Sequence, residues 1–203
     1  MTTAGPVRAR LILIGAPGAG KTRLGKRIAR LLRIGFVDTD KRIVAEHGPI
    51  AQIFEEHGEA HFRRLEREAV AGALREAAVV SLGGGAVLDA DTQADLAGQH
   101  VALLTVSAEA VAARIGGGKR PLLKGGVQAW SALAESRREL YESLASRTWD
   151  TSTLPLDDLA DDIADWVRRD ATSPGLVDAG AAEAGAANER TARSESGQKE
   201  QQQ

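Results

Sequence analysis

The 203-residue chain contains no cysteine, one methionine and one tyrosine. Without cysteine, disulfide bonds and thiolate-ligated metal sites are excluded. The formal net charge is −2, and such a balanced charge is not typical of a general nucleic-acid or membrane binder. No stretch approaches the ~20 apolar residues of a transmembrane helix, and the first apolar run is too short for a signal peptide. We therefore expect a cytoplasmic protein with no nucleic-acid partner and no membrane attachment.

Large apolar side chains are also scarce in one part of the chain, residues 171–203, which are rich in Ala, Gly, Ser, Glu and Gln. Such a segment cannot bury enough surface to offset the entropy lost on ordering, so we predict a disordered tail. A partner-binding role for this tail is the alternative. The residues before it are numerous enough to bury a core of their own.

Up to about residue 170, aliphatic runs alternate with amphipathic stretches. The predicted strands are 11–14, 36–37, 79–82 and 101–106. The predicted helices include 21–32, a short one after residue 40, 60–74, one capped by Ser107, 128–143 and 159–168. This alternation indicates a parallel sheet with helices on both faces, in which ligands bind beyond the carboxyl ends of the strands.

Glycine, by contrast, is concentrated after the first strand, in the segment GAPGAGKT. Residues 15–22 match G-x-x-x-x-G-K-[ST], a loop whose backbone N–H groups surround phosphates at a helix N-terminus. Lys21 is expected to reach the β and γ phosphates, and the Thr22 hydroxyl to ligate Mg²⁺. The predicted nucleotide-binding residues of this loop are Gly15, Gly18, Ala19, Gly20, Lys21 and Thr22. A glycine-rich turn without a ligand is the alternative.

Two aspartates at the end of the second strand, in GFVDTDK, are candidates for the acceptor site. Asp38 and Asp40 lie two residues apart, and such residues point to the same side of an extended chain. One carboxylate could hold a water of the Mg²⁺ shell, and the other could accept a hydroxyl proton in phosphoryl transfer. A helix cap formed by Asp40 or Thr39 is the alternative.

Two arginine pairs follow, in HFRRLERE and ESRRELY. Arg63 and Arg64 are consistent with a solvated helix face, paired with glutamates four residues away. Arg137 falls on a predicted apolar stripe, and Arg138 points away from it. A guanidinium on a buried face needs an anionic partner, which is either a substrate carboxylate or a structural Asp or Glu.

Two further segments are rich in glycine. SLGGGAV places Gly83, Gly84 and Gly85 at the end of the third strand, where bare backbone suits contact with a ligand or a tight turn. RIGGGKRPLLKGG, residues 114–126, has basic residues between glycines. It is typical of a mobile lid that brings cations to a transferring phosphoryl group, or of a flexible surface loop.

The order GAPGAGKT, DTD, FRR, SLGGGAV, GGGKRPLL and SRRELY resembles shikimate kinase over about residues 7–168. The resemblance implies an α/β P-loop kinase of nucleoside-monophosphate-kinase type, with a five-stranded parallel sheet flanked by helices and a mobile lid. It implies transfer of the γ-phosphoryl group of ATP to the 3-hydroxyl of shikimate, giving shikimate 3-phosphate and ADP in aromatic amino-acid biosynthesis. The expected cofactors are ATP and Mg²⁺, and a monomer is expected, with a kinase domain over 7–170 and the lid at about 114–126.

The resemblance also implies a role for particular residues. The catalytic residues would be Asp40, Lys21 and Arg120, with Asp40 orienting or deprotonating the hydroxyl. Arg114 would stack on adenine, and Arg120 would span both substrates. Thr22 and Asp38 would serve Mg²⁺. The residues similar to those that bind shikimate are Asp40, Arg63, Gly83, Gly84, Gly85 and Arg137, with Glu66 near the arginines.

Two other functions stay open at this point. One is a different small-molecule kinase of the same architecture, such as a gluconate kinase. The other is a nucleotide-binding regulator whose slow ATPase drives a conformational change. The first would differ in its acceptor, and the second would hydrolyse ATP without any acceptor.

Overall fold

The structure is a computed structural model and describes residues 8–115 and 126–172. The strands are β1 (Leu11–Ile14), β2 (Gly35–Asp38), β3 (Ala78–Ser81), β4 (Val101–Thr105) and β5 (Arg147–Asp150). The helices are α1 (Lys21–Leu32), α2 (Thr39–His47), α3 (Ile50–Ala73), α4 (Ala90–Leu96), α5 (Ala108–Ile115), α6 (Gly126–Ser136), α7 (Arg138–Leu144) and α8 (Leu156–Thr172). A 3₁₀ turn, Ala86–Leu88, follows β3.

The strands form one parallel sheet in the order β2-β3-β1-β4-β5. The central strand β1 is fully buried, and its side chains alternate between the two faces. Leu11 and Leu13 pack in a core cluster that includes residues of α1 and α8. Ile12 and Ile14 pack in a second cluster with residues of α3 and α7. The predicted α/β class and the five-stranded parallel sheet are confirmed.

The sheet has one strand more than the residue pattern predicted. In β5, only Trp149 is buried, and the other three positions are exposed. An edge strand of this kind has no continuous apolar run, so its pattern does not distinguish it from a loop. The predicted strands 36–37, 79–82 and 101–106 are each present, with ends that differ by at most one residue.

The helices differ more from the prediction. The helix expected over 128–143 is two helices, α6 and α7, because Arg137 breaks the path with φ −113° and ψ −2°. The segment Ile50–Ala73 consists of two helices that meet at a kink at Gly58, which has φ 78°. The second of them corresponds to the helix expected over 60–74, and the first was not predicted. Helix α1 has the predicted bounds, and Ser107 caps the start of α5 through a bond from the Ala110 backbone N–H at 3.2 Å.

The site below lies within one compact unit, which ends at Val167. Most of the predicted lid, 116–125, and nearly all of the predicted tail, from 173 onward, fall outside the described residues. Within the described ranges, no helix is both long enough and apolar enough to cross a membrane.

Candidate active site

The phosphate loop joins β1 to α1 at the central position of the sheet. Gly15 has φ 135°, and a Cβ at this position would overlap the backbone oxygen of Leu104. Gly18 and Gly20 have φ of 85° and 87°, in the left-handed region that favours glycine. These positions therefore require glycine for backbone reasons, in addition to any need to admit a phosphate.

Lys21 is the first residue of α1, and its ammonium turns back over the loop. Nζ donates to the carbonyl oxygen of Gly15 at 2.6 Å and to that of Ala16 at 3.1 Å. Burial lowers the pKa of Lys21 to about 8, and the nearby carboxylates of Asp40 and Asp38 oppose this shift. Negative charge added next to Lys21, such as that of a phosphate group, would therefore favour its protonated form.

Asp38 connects the phosphate loop to the start of α2. Its Oδ2 accepts from the Thr22 hydroxyl at 2.6 Å, and its Oδ1 accepts from the backbone N–H of Lys41 at 3.2 Å. The residue is thus the N-cap of α2, so the predicted cap exists but is neither Asp40 nor Thr39. One carboxylate serves as a helix cap and as a partner of the loop hydroxyl at the same time.

Asp40 does not follow Asp38 along an extended strand, as we expected. The strand ends at Asp38, and Asp40 lies in the first turn of α2. It nevertheless faces the same region, because its Oδ1 lies against Gly83 and its charge interacts with Asp38, Lys21 and Arg63. Burial, and then the charge of Asp38, raise the pKa of the Asp40 carboxyl. A carboxylate of this kind is suited to accept a proton.

Thr39, between the two aspartates, is a functional position that the sequence analysis missed. It is fully buried, and its hydroxyl accepts from the backbone N–H of Gly83 at 3.1 Å. The same hydroxyl donates to the Ser81 carbonyl oxygen at 3.4 Å. Thr39 thereby fixes the first turn of α2, which carries Asp40, to the end of β3.

Arg63 is held by two glutamates of its own helix, α3. Its Nη1 donates to Oε2 of Glu66 at 2.6 Å, and its Nη2 donates to Oε1 of Glu59 at 3.0 Å. The predicted Glu59 pair is therefore present, yet Arg63 is not simply on the surface. A Cβ at Gly85 would lie 3.1 Å from Cζ of Arg63, so the guanidinium covers the glycine segment.

Glu66 is only 4% exposed, although it is charged in its usual state. Burial raises the pKa of its carboxyl, and the hydrogen bond from Arg63 opposes that shift. The charge of Arg137 also acts on it. Glu66 therefore lies near both arginines, as the resemblance implied.

Arg137 and Arg138 point in different directions, as predicted. Nη1 of Arg137 donates to the carbonyl oxygen of Gly84 at 2.9 Å. The side chain of Arg138 is 62% exposed and pairs with Glu135. The break between α6 and α7 at Arg137 directs its side chain to the end of β3.

The glycines of 83–85 are each in contact with a different part of the site. A Cβ at Gly83 would meet Asp40 and Glu66, and a Cβ at Gly85 would meet Arg63. At Gly84, it would lie 3.2 Å from Cδ of Pro17 in the phosphate loop. The predicted acceptor residues Asp40, Arg63, Gly83, Gly84, Gly85 and Arg137 are thus brought together beside the loop.

On the other side of the phosphate loop, Arg114 of α5 donates to the Gly18 carbonyl oxygen at 3.2 Å and to the Thr151 hydroxyl at 3.3 Å. The buried Thr151 hydroxyl donates to the Ala19 carbonyl oxygen at 3.1 Å. Arg114 therefore lies next to the predicted nucleotide site. Arg120, the expected lid arginine, lies outside the described residues.

Known proteins match this chain over most of its described length. The family model described as shikimate kinase matches residues 17–168. A shikimate kinase of Streptomyces coelicolor is 47% identical over 140 residues, which cover 67% of this chain and 82% of the relative. One of Mycobacterium avium is 45% identical over 148 residues, covering 70% of this chain and 84% of the relative.

Solved structures agree with these matches. The structure of shikimate kinase from Acinetobacter baumannii in complex with shikimate has a TM-score of 0.71 and 29% identity, covering 82% of this chain and 96% of that one. The shikimate kinase of Aquifex aeolicus has a TM-score of 0.66 and 28% identity, covering 80% of this chain and 98% of that one.

Proposed function

Because the chain belongs to the shikimate kinase family, we propose that the cluster formed by Asp40, Arg63 and Arg137 beside the phosphate loop is its shikimate site. The chain is an ATP-dependent kinase that transfers the γ-phosphoryl group of ATP to the 3-hydroxyl of shikimate. The observation that carries the residue assignment is the glycine segment 83–85. Asp40, Arg63 and Arg137 all contact it, and it also touches Pro17 of the phosphate loop.

Shikimate carries one carboxylate and three hydroxyl groups, and the cluster offers complementary chemistry. Arg63 and Arg137 supply two guanidinium groups for charge-assisted hydrogen bonds to the carboxylate. Asp40 supplies an acceptor for the hydroxyl groups. The glycines present backbone without side chains, so a small ring has room to lie against them. Glu66, which lies near both arginines, holds Arg63 in place.

In the transfer step, the 3-hydroxyl oxygen forms a bond to the γ-phosphorus, and the bond from that phosphorus to the bridging oxygen of ADP breaks. Asp40 takes the hydroxyl proton, for which its raised pKa is favourable. Lys21, whose ammonium lies over the phosphate loop, stabilises negative charge on the phosphoryl oxygens. Arg120 is proposed to do the same from the lid. Most of the acceleration then comes from positioning and electrostatics.

Thr22 and Asp38 fit a magnesium ion, because their oxygens are 2.6 Å apart and both are hard donors next to the phosphate loop. Among residues 8–115 and 126–172, no group of three or more His, Cys, Asp or Glu side chains could hold a metal ion. This agrees with a Mg²⁺ ion that takes its remaining ligands from nucleotide phosphates and water. When bound, the ion would neutralise phosphate charge.

The function is tested by ADP release in the presence of ATP and Mg²⁺, with and without shikimate. ADP release that depends on shikimate, and not on gluconate, is the expected result. ADP release at the same rate without any acceptor would contradict the function and favour an ATPase.

The site assignment is tested by comparing Arg137→Ala with Arg138→Ala, which removes the same charge one residue further on. Arg137→Ala should raise the KM for shikimate by about 10- to 100-fold, with the KM for ATP changed by less than about twofold. Arg138→Ala should leave both values near those of the unaltered protein, because its side chain is directed to solvent. Equal effects of Arg137→Ala on both substrates would contradict the assignment.

Four other expectations stay predictions. These are a monomeric state, a cytoplasmic location, the absence of nucleic-acid and membrane partners, and a kinase domain over 7–170 followed by a tail.

A further inference from the structure

The carbonyl oxygen of Gly84 accepts two hydrogen bonds, one from the residue that precedes α7 and one from within α7. The Tyr141 hydroxyl donates to it at 2.6 Å, and Nη1 of Arg137 donates to it at 2.9 Å. A carbonyl oxygen has two lone pairs, so both bonds form at once. We propose that Tyr141 is a positioning residue for shikimate: its hydroxyl fixes the Gly84 carbonyl, and that carbonyl orients the guanidinium of Arg137.

The tyrosine ring is well anchored for this task. Tyr141 is 4% exposed and packs in the core cluster shared by β1, β3, β4 and α3. Its backbone N–H donates to the Arg137 carbonyl oxygen at 2.9 Å, which ties the two residues together through one helical turn. Burial raises the pKa of its phenol, so the hydroxyl keeps its proton. Since a carbonyl oxygen can only accept, the tyrosine is the donor in this bond.

Tyr141 restrains two groups of the site, Arg137 and the Gly84 peptide, in addition to the charge of Glu66 near Arg137 and the contact of Gly84 with Pro17. Arg137 is half-buried at the break between α6 and α7, and a long side chain there has many rotamers to lose. Gly84 has no side chain, so its peptide group is free to rotate unless a hydrogen bond holds it. The Tyr141 hydroxyl acts on Arg137 through this peptide group and also directly, because Arg137 hydrogen-bonds to the tyrosine side chain. The position of Arg137 therefore depends on a hydroxyl that need not touch shikimate.

The inference rests on the proposed role of Arg137 in shikimate binding, and a double-mutant cycle tests the two separately. Tyr141→Phe keeps the ring and removes the hydroxyl, so it should raise the KM for shikimate by about 3- to 10-fold. The KM for ATP should change by less than about twofold. In an Arg137→Ala background, Tyr141→Phe should cause no additional rise, since the group that it positions is already absent.

Trp149→Phe is the matched control. It also removes one hydrogen bond of a buried aromatic side chain, from Nε1 of Trp149 to Asp162 at 2.7 Å, but in the other core cluster. It should lower the unfolding midpoint without a selective change in the KM for shikimate. The inference is wrong if Tyr141→Phe raises both KM values equally, or if its effect persists unchanged in the Arg137→Ala background. If Arg137→Ala itself leaves the KM for shikimate unchanged, the proposed site fails instead.

A second measurement needs no substitution of Tyr141, because it is the only tyrosine of the chain and can be labelled selectively. Protein produced with 3-fluorotyrosine carries a single fluorine label beside the Gly84 carbonyl. Its ¹⁹F resonance should shift on addition of shikimate, and Arg137→Ala should abolish that shift. A resonance that is unchanged at saturating shikimate would overturn the inference, even if Tyr141→Phe folded poorly.

Discussion

Replacement of Gly83 by alanine should greatly slow turnover without preventing ATP binding. The new Cβ would overlap Oδ1 of Asp40 and would lie 2.8 Å from Oε1 of Glu66, whereas ordinary contact begins near 3.4 Å. Glu66 is bonded to Arg63 at 2.6 Å, and Asp40 lies in the first turn of α2. Both atoms are at the ends of side chains, so the Asp40 carboxylate would rotate away from the Cβ and Glu66 would move at the expense of its bond to Arg63; we therefore expect both carboxylates to be displaced.

The size of the effect follows from the displacement. Misplacement of a reacting group by about 1 Å can cost on the order of 100-fold in rate. This corresponds to about 2.7 kcal/mol of transition-state stabilisation. We therefore expect kcat for Gly83→Ala to fall by about 100-fold. ATP affinity should change by less than about threefold, because Gly84, rather than Gly83, faces Pro17 of the phosphate loop.

The measurements are kcat and KM for both substrates, together with a titration of the free enzyme with ATP. Gly72→Ala is the matched control, since its Cβ would lie 3.6 Å from Nη1 of Arg42, in ordinary contact. Gly72 lies within α3, where alanine should add about 0.5–1 kcal/mol of stability and leave the kinetics unchanged. Wild-type kcat in Gly83→Ala would refute the reasoning, because it would mean that Asp40 does not need its observed position.

Asp40→Asn should lower kcat by at least about 100-fold with little change in ATP affinity, because an amide cannot take the hydroxyl proton. Stopped-flow measurement of the chemical step checks this, and an unchanged rate of that step would exclude Asp40 as the base. Lys21, with a pKa of about 8 in the free protein, should take up a proton when ATP binds above pH 8, because phosphate charge favours the ammonium form. ATP affinity should then fall by up to about tenfold per pH unit above 8. Calorimetry of ATP binding in buffers of different ionisation enthalpy should detect the proton uptake, and equal binding heats in all buffers would contradict it. Gly15→Ala should cost about 2–4 kcal/mol in urea unfolding, because its Cβ would overlap the Leu104 carbonyl at φ 135°; a loss under about 0.5 kcal/mol would mean that the loop can rearrange.

Several features could be predicted from the sequence because their signals are local. The phosphate loop and α1 were predicted with correct bounds, since the glycines, Lys21 and the helical spacing are adjacent in the chain. The central strand was predicted because LILI is an uninterrupted aliphatic run. By contrast, β5 was missed because only Trp149 is buried in it, and the break at Arg137 was missed because the apolar stripe continues across it. Local patterns do not report an edge strand or a change of helix direction.

By itself, the sequence determined the phosphate loop, the α/β class and the residue types available for the acceptor site. Tertiary structure decided which of these residues meet: the Tyr141 hydroxyl reaches Gly84 across 57 residues, and Nε1 of Trp130 donates to the Pro17 carbonyl oxygen across 113. It also decided that Thr39 ties α2 to the end of β3 across 44 residues. The physical reason is that these bonds depend on which strand ends are neighbours in the sheet, and hydrophobic periodicity within a segment carries no information about strand order.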